Sequence, residues 1–563
     1  MGAKIVRKIG KLCSFATEIG FHEFFLHCVV TFFSHLRITG ITNLLNMQNY
    51  KIISMFLLLI SSSLTLSAQE NPFNTLTNPD VENSELYREG NIYQRDFLLF
   101  ADMLENTHPV FAETNKRHYD MDSLTRAGYH YLAGCESDDQ LRQYLQSILS
   151  PLNDGHSKVS MSFDGKICPF GLFADGDTAF YLVAITKEFS NELGHRVTAI
   201  NGKPTREVIE SFRPLMSCDN DNHFISNVNN YMQMKAAWDY NPYRRSDDML
   251  EFQFDDGNTV LLPAVGQEEL GEDAIEWFYT PKSNVPFKKS SKYFSYNIMP
   301  EKQLCYLRFS QCADRNTLRM MELFGQSQGM TEEQLAQVPD FGEFLQEMFS
   351  EMRQQGVKTL MVDVRYNGGG NSKLCDQLLS WLKPVDEMRE MSSLIRVSKL
   401  WETQYPDLAK EYKEKFQEHG MAYRLGELYD PDFGEDESEM EKKLSELFVM
   451  NESRDSLFAG EVLFMLGKDT FSSAGWLITS AIDNGIGTII GENSTFAPSN
   501  YGDILYWELP NTHAQGIVSH KIFVRPDASK PYESAIIPDI PLPETWEDYC
   551  NGIDPCWKWV MDK

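Results

Sequence analysis

Ser472 stands between an apolar run, Val462–Leu466, and a helical pattern in which Ala474, Leu477, Ile478, Ala481 and Ile482 recur at turn spacing. Gly485 lies where that helix should end. The polar turn from Gly467 therefore presents a serine just before a helix amino end. Unpaired backbone N–H groups and the positive end of the helix dipole stabilise a negative oxygen that forms beside such a serine. Capping is the commoner role of residues such as Thr470, Ser472 and Ser473, so the turn alone leaves both nucleophile and cap open.

A second turn has the same build. Thr359–Val364 reads as a buried strand, Arg365-Tyr366-Asn367-Gly368-Gly369-Gly370-Asn371-Ser372 follows, and Leu374, Leu378, Leu379 and Leu382 resume a helical pattern. Three consecutive glycines let backbone approach a ligand closely and aim N–H groups at it. The Gly-Lys-Ser/Thr element of a phosphate loop is absent, and Lys373 follows the wrong residues. An oxyanion-binding turn fits better.

These two turns, with Leu152-Asn153-Asp154-Gly155-His156-Ser157 upstream, resemble the serine peptidases of the C-terminal processing (tail-specific) and tricorn-core family. The resemblance runs from about residue 90 to 545 and is strongest after Lys302. It implies a crotonase/Clp-like β-β-α peptidase core. By position, Ser472 resembles the nucleophile, and the amides of Ser473 and of Gly368 or Gly369 resemble the oxyanion hole. His156 resembles the general base of the tricorn-like branch. The processing branch uses a lysine instead, but its place falls on Ala497, and no lysine lies between Lys468 and Lys521. The tail Tyr532–Ile540 resembles the family's closing segment, which makes Glu533 the candidate for the acid that orients the histidine. Asp483 also matches an acidic position of the processing branch, although a solvated residue near a helix end is its simpler reading. One departure stands out: tricorn proteins carry a serine directly before the histidine, and this chain has Gly155.

The chemistry asks for such a set. A serine hydroxyl is a poor nucleophile near neutrality, so a base must take its proton, and imidazole has the nearest unperturbed pKa. A carboxylate fixes its tautomer and stabilises the imidazolium. The expected function is an exported serine endopeptidase acting on peptides or unfolded protein tails. The alternatives are a peptide-binding protein that keeps the fold with weak or no catalysis, and a hydrolase of another acyl group such as an ester.

Composition narrows the setting. A formal net charge of −30 opposes a nucleic-acid role, which needs clustered lysine and arginine. Met47-Gln48-Asn49-Tyr50-Lys51 followed by the apolar run to Leu66 and Ser67-Ala68 looks like a signal peptide over 47–68, cleaved after Ala68. Residues 1–46 then read as a mis-assigned extension, and the mature chain as periplasmic or extracellular without a stable membrane anchor. Eight of the 10 cysteines follow Ala68. An exported chain could pair some of them, Cys550 with Cys556 for instance, although their spacing reveals no framework. No Cys-x-x-Cys or His-Glu-x-x-His sequence points to a metal, so neither metal nor cofactor is expected.

The expected architecture is α/β at the core and multi-domain α+β overall. Helical patterning predicts an N-terminal cap over 85–160 that delivers the Asp-Gly-His turn. Residues 161–290 read as a β-rich module with a hairpin turn at Asn201-Gly202, and Gly194–Pro204 resembles part of a PDZ domain. The peptidase core spans 300–545, and a tail occupies 546–563. An insertion at 384–459, rich in Glu, Lys and Tyr, reads as a lid near the mouth of the site or a surface for a neighbouring subunit in a homo-oligomer.

Overall fold

Four buried apolar runs account for the middle of the structure. Leu304–Phe309, Thr359–Asp363, Glu461–Leu466 and Thr488–Gly491 pair in parallel, with Phe294–Met299 antiparallel on one edge and Ile540–Pro541 parallel on the other. Val462 to Leu466 are all buried, as expected for a strand of a parallel sheet with both faces covered. The helices Phe341–Gln354, Lys373–Leu379 and Ser473–Asp483 pack their apolar stripes against this sheet. The two central strands, Thr359–Asp363 and Glu461–Leu466, are neighbours, so the turns that leave their carboxyl ends lie side by side.

The computed structural model describes residues 72–563 except 113–118, 163–164, 272–273, 282–292, 324–328 and 432–438. The expected extension 1–46 and signal peptide 47–68 lie outside the described residues. Phe73–Lys563 form one compact unit. Among the described residues, no helix is long and apolar enough to cross a membrane.

A second sheet anchors the chain next to His156. Strands Asn500–Glu508 and Gln515–Val524 form a long antiparallel pair, flanked by Asn74–Thr75 on one side and by Ser392–Arg396 and Leu428–Tyr429 on the other. Lys158–Val159 also joins it, with Lys158 opposite Ile517 and Val159 opposite Gly516. Helices Ile92–Thr107, Met121–Leu132 and Asp138–Leu149 cover this sheet with Phe97, Phe100, Leu141 and Leu145. The strands 500–524, expected inside the peptidase core, thus share a hydrophobic core with the helical cap instead.

The segment 384–459, read from its position as a lid or a subunit surface, is packed into both cores. Ser392–Arg396 pairs with Gln515–Val524, and Trp401, Phe416 and Tyr429 are buried with the cap helices. Phe448, near its end, enters the peptidase core. A few large apolar residues anchor an otherwise charged segment. The tail is likewise ordered: helix Pro555–Asp562 buries Cys556 and Val560 on the peptidase sheet, and Trp546 stacks on Tyr181 with ring centroids 4.2 Å apart.

Within 161–290, the stretch read as a β-rich module, residues 166–277 hold the strands. Phe170–Asp175, Ala179–Thr186 and Ile275–Trp277 make one antiparallel sheet; Lys203–Pro204, Val197–Ile200, Met249–Phe254 and Thr259–Pro263 make another. Asn201 and Gly202 both have positive φ, 50° and 72°, the backbone that a two-residue hairpin turn of this hand requires. Helix Asp221–Gln233 buries Phe224, Val228 and Met232 in the module's own core.

Candidate active site

The turn at Ser472 is strained and tightly held. Ser472 has φ 51° and ψ −123°, a conformation that L-residues with a Cβ rarely adopt, and it lies just before helix Ser473–Asp483. Its side chain makes no capping bond. That leaves its hydroxyl free of the role that competed with catalysis. Ala474, Leu477, Ile478 and Ala481 are fully buried, and the helix ends at Gly485, with Ile486 N–H bonded back to Ala481 O.

The glycine turn supplies the other half. Thr470 Oγ1 donates to Val364 O at 2.8 Å, Phe471 N–H to Asn367 O at 3.0 Å, and Ser473 Oγ to Gly370 O at 2.7 Å. A Cβ on Gly369 would fall 2.8 Å from Ser472 Cβ and 3.0 Å from Ser473 N, so glycine is needed for the two turns to touch. Of the three amides expected to form an oxyanion hole, Gly369 N–H is already donated to Asn367 Oδ1 at 2.9 Å. The other two residues of that expectation are Gly368, which is exposed and has open space around it, and Ser473, at the start of the helix.

His156 reaches this turn across 316 residues, its Nε2 lying 3.3 Å from Ser472 Oγ. The imidazole stacks on Phe471 at 4.9 Å between ring centroids. Its Nδ1 faces Asp154 Oδ1 at 3.6 Å, an ionic separation longer than a hydrogen bond. Asp154 is buried and organises the turn: it accepts His156 N–H at 2.9 Å, Ser157 Oγ at 2.5 Å and His108 Nε2 at 3.0 Å. His108 Nδ1 accepts Val110 N–H, which leaves the proton on Nε2 for Asp154.

Glu533, expected to orient the histidine, does not meet it. Its carboxylate pairs with Arg525 at 2.5 Å and is half exposed. Arg525 in turn is held by Asp483 at 2.9 and 3.0 Å. Asp483 also takes Lys530 at 2.7 Å, so it is a buried ion-pair centre rather than a solvated helix end. The acid beside His156 is Asp154, already present in the Asp-Gly-His element. His108 carries no sequence signal of its own, being 46 residues away from Asp154.

Gly155 also finds its reason. A Cβ there would lie 2.5 Å from His223 Cε1 and 3.0 Å from Asp219 Oδ1, both contributed by the β-rich module. Asp219 fixes the turn by accepting Gly155 N–H at 2.6 Å and Ala497 N–H at 3.3 Å. Ala497, the place of the processing-branch lysine, is buried.

The charges follow from this packing. Burial works against ionised Asp154, but the hydrogen bonds and charges of His108 and His156 hold its carboxyl well below the usual range. Burial works against charged His156 too, yet Asp154 and then Asp219 outweigh it and raise the imidazole. Burial pushes Asp219 up to about 6. Burial, reinforced by the charge of His156, lowers His223 to about 4. The site therefore brings together an imidazole of raised affinity for protons and a serine hydroxyl 3.3 Å from it, beside a glycine turn.

As to metals, one group among the described residues, Glu192, His195 and Asp256, brings its donor atoms within 4.8 Å of one another. It lies on the β-rich module, and His195 Nδ1 is already paired with Asp255 at 3.2 Å.

Residues 334–542, which include Ser472 and both turns, match Peptidase family S41. No curated protein matches the sequence. Among solved structures, the chain is similar to mature CPAF complexed with lactacystin, at 14% identity and a TM-score of 0.55, covering 85% of this chain and 98% of that one. Mature CPAF alone gives 14% identity and a TM-score of 0.54, covering 85% and 96%. At such identity the likeness speaks for the fold. With the family match lying over the segment that holds the serine and the glycine turn, the chain carries a peptidase family S41 domain and is a serine peptidase.

Proposed function

We propose that this chain is an exported endopeptidase that cleaves peptides or unfolded protein tails through an acyl-enzyme on Ser472, with His156 as general base in the manner of the tricorn-like branch. The observation that carries this reading is the 3.3 Å separation of His156 Nε2 from Ser472 Oγ. Ser472 Oγ attacks the scissile carbonyl carbon as His156 Nε2 takes its proton. The carbonyl oxygen becomes negative beside the N–H groups of Gly368 and Ser473, where no solvent reorganisation is needed to meet the charge. His156 then gives its proton to the leaving amine. Water enters, loses a proton to the same nitrogen, and releases the acyl group. Asp154 holds the ring and balances the imidazolium, while His108 and Ser157 hold Asp154.

Export rests on the sequence of 47–68 and is tested by sequencing the amino terminus of the secreted chain, expected at Gln69. The catalytic assignment is tested by treating the protein with a fluorophosphonate and finding the label by peptide mass spectrometry. Label on Ser472 that is lost in His156→Ala supports the reading. A folded protein that takes no label would instead be a peptide-binding protein that keeps the fold.

A further inference from the structure

Two thiols lie directly beneath the oxyanion turn. Cys312 follows strand Leu304–Phe309, and Cys375 sits in the first turn of helix Lys373–Leu379. Both are fully buried and free, with their sulfurs 3.7 Å apart although 63 residues separate them in the chain.

Each is wired to one side of the site. Cys312 N–H donates to Gly369 O at 3.1 Å, and Asn371 N–H donates to Cys312 O at 2.7 Å. A Cβ on Gly370 would lie 2.2 Å from Cys312 O, so the backbones are in direct contact. Cys312 Sγ is 3.4 Å from Asn367 Nδ2, and Asn367 is the residue whose Oδ1 holds Gly369 N–H. Cys375 S–H donates to Ser473 O at 3.1 Å, on the residue that follows the nucleophile.

We propose that Cys312 and Cys375 are a redox-controlled disulfide site whose closure disarms the oxyanion hole. The inference rests on the reading of Gly368 and Ser473 as that hole. To bond, the sulfurs must close from 3.7 Å to about 2.05 Å. That movement draws Cys312 inward together with Gly369 and Asn371, the neighbours of Gly368. It also removes the S–H that Cys375 offers to Ser473 O. Both donors of the hole are therefore displaced by one covalent change.

The oxidant is a disulfide, either a protein dithiol–disulfide donor or oxidised glutathione. One cysteine thiolate attacks it, releasing the first thiolate of the oxidant and leaving a mixed disulfide; the second cysteine attacks that bond and releases the other. Two thiols are oxidised, one disulfide is reduced, and the two protons pass to solvent or to the released thiolates. Burial, with Cys312 alongside, holds the Cys375 thiol well above its ordinary range, so thiolate is scarce in the closed fold. Exchange accordingly belongs to folding or to local opening of the turn.

The test is to unfold the purified chain and refold it with either oxidised glutathione or dithiothreitol, then compare three readouts. Non-reducing peptide mass spectrometry is expected to find Cys312 linked to Cys375 only in the oxidised sample. Amide exchange over 367–373 should differ between the two. Fluorophosphonate labelling of Ser472 should be at least about tenfold slower in the oxidised protein and recover with dithiothreitol. Cys375→Ser, which keeps a donor for Ser473 O, should label at the same rate in both samples. Absence of the linked peptide overturns the proposal, as does a linked peptide with unchanged exchange and labelling. If reduced protein takes no label, the catalytic reading of Ser472 fails by itself, while the linked peptide and amide exchange still decide whether the thiols control the turn.

Discussion

Asp154 Oδ1 lies 3.6 Å from His156 Nδ1, and among the described residues no other carboxylate pairs with that imidazole, Glu533 being held by Arg525. The two acids should therefore part company on mutation. Asp154→Asn removes the charge that balances the imidazolium and should lower kcat on the order of 10²- to 10⁴-fold. Glu533→Gln should leave kcat within about threefold, the range of a half-exposed ion pair. Steady-state kinetics on one peptide substrate compares them; a large loss in Glu533→Gln with Asp154→Asn unaffected would return the orienting role to the tail.

The acid limb of activity follows from the same pair. On the proposed mechanism His156 must be neutral to accept the serine proton, and Asp154 with Asp219 raises its affinity for protons. The profile of kcat/KM should fall as pH falls, with a midpoint above the ordinary imidazole value of about 6.5. In Asp154→Asn the raising charge is gone and burial remains, so the midpoint should move down. An unchanged midpoint in that variant would mean that the limb belongs to another group.

Stability should also respond to acid. His223 and His520 are held near neutrality by burial, both lowered to about 4. Unfolded, they titrate near 6.5, so between about pH 6.5 and 4 the native state binds fewer protons than the unfolded chain at these groups. Their contribution is present above that window and is lost as pH falls through it. Asp219, raised to about 6, binds more protons when folded and offsets part of the loss. Urea midpoints should decline from pH 7 to 4.5, and His520→Gln should flatten the decline, since such a shift is worth up to about 3 kcal/mol. An equal decline in wild type and variant would remove His520 from the account.

How far the sequence reveals this site depends on the range of the interactions. The nucleophile turn is legible because Val462–Leu466 and Ala474–Ile482 each bury their apolar residues locally, and Gly485 closes the helix as its type requires. Asn201-Gly202 is legible for the same reason. Glu533 misleads because its position matches a pattern, whereas its partner Arg525 is chosen by folding. The packing of segment 384–459 is not legible, because Trp401, Phe416 and Tyr429 are buried against cap helices far away in sequence. His108 is invisible in sequence, since nothing short of the fold brings it to Asp154.

Gly155 gives a test of packing rather than of charge. The space beyond its Cα is filled by His223 and Asp219, so Gly155→Ala should displace His156 and cost about 1–3 kcal/mol of stability, with slower labelling of Ser472. His223→Ala vacates the nearest obstacle. The double variant should therefore label faster than Gly155→Ala alone, a non-additivity expected of residues in direct contact. Strictly additive losses would show that His223 does not set the requirement for glycine.

On the proposed mechanism, the glycine turn separates a residue that shapes the oxyanion hole from one that lines it. Gly369 has φ 104°, and a Cβ there would press on Ser472 Cβ, Phe471 O and Ser473 N. Gly369→Ala should therefore keep the fold and lower acylation on the order of 10²- to 10³-fold, because the donors move away from the developing oxyanion. Gly368 has no atom within 4 Å of a Cβ, and the N–H it would donate on the proposed mechanism is one that alanine retains. Gly368→Ala should acylate within about tenfold of wild type, any loss coming from contact with substrate. Burst kinetics with an activated ester measure acylation directly in both. If Gly368→Ala proves the more damaging of the two, the open space beside it is the place where the substrate chain lies, and the turn excludes a side chain for that reason.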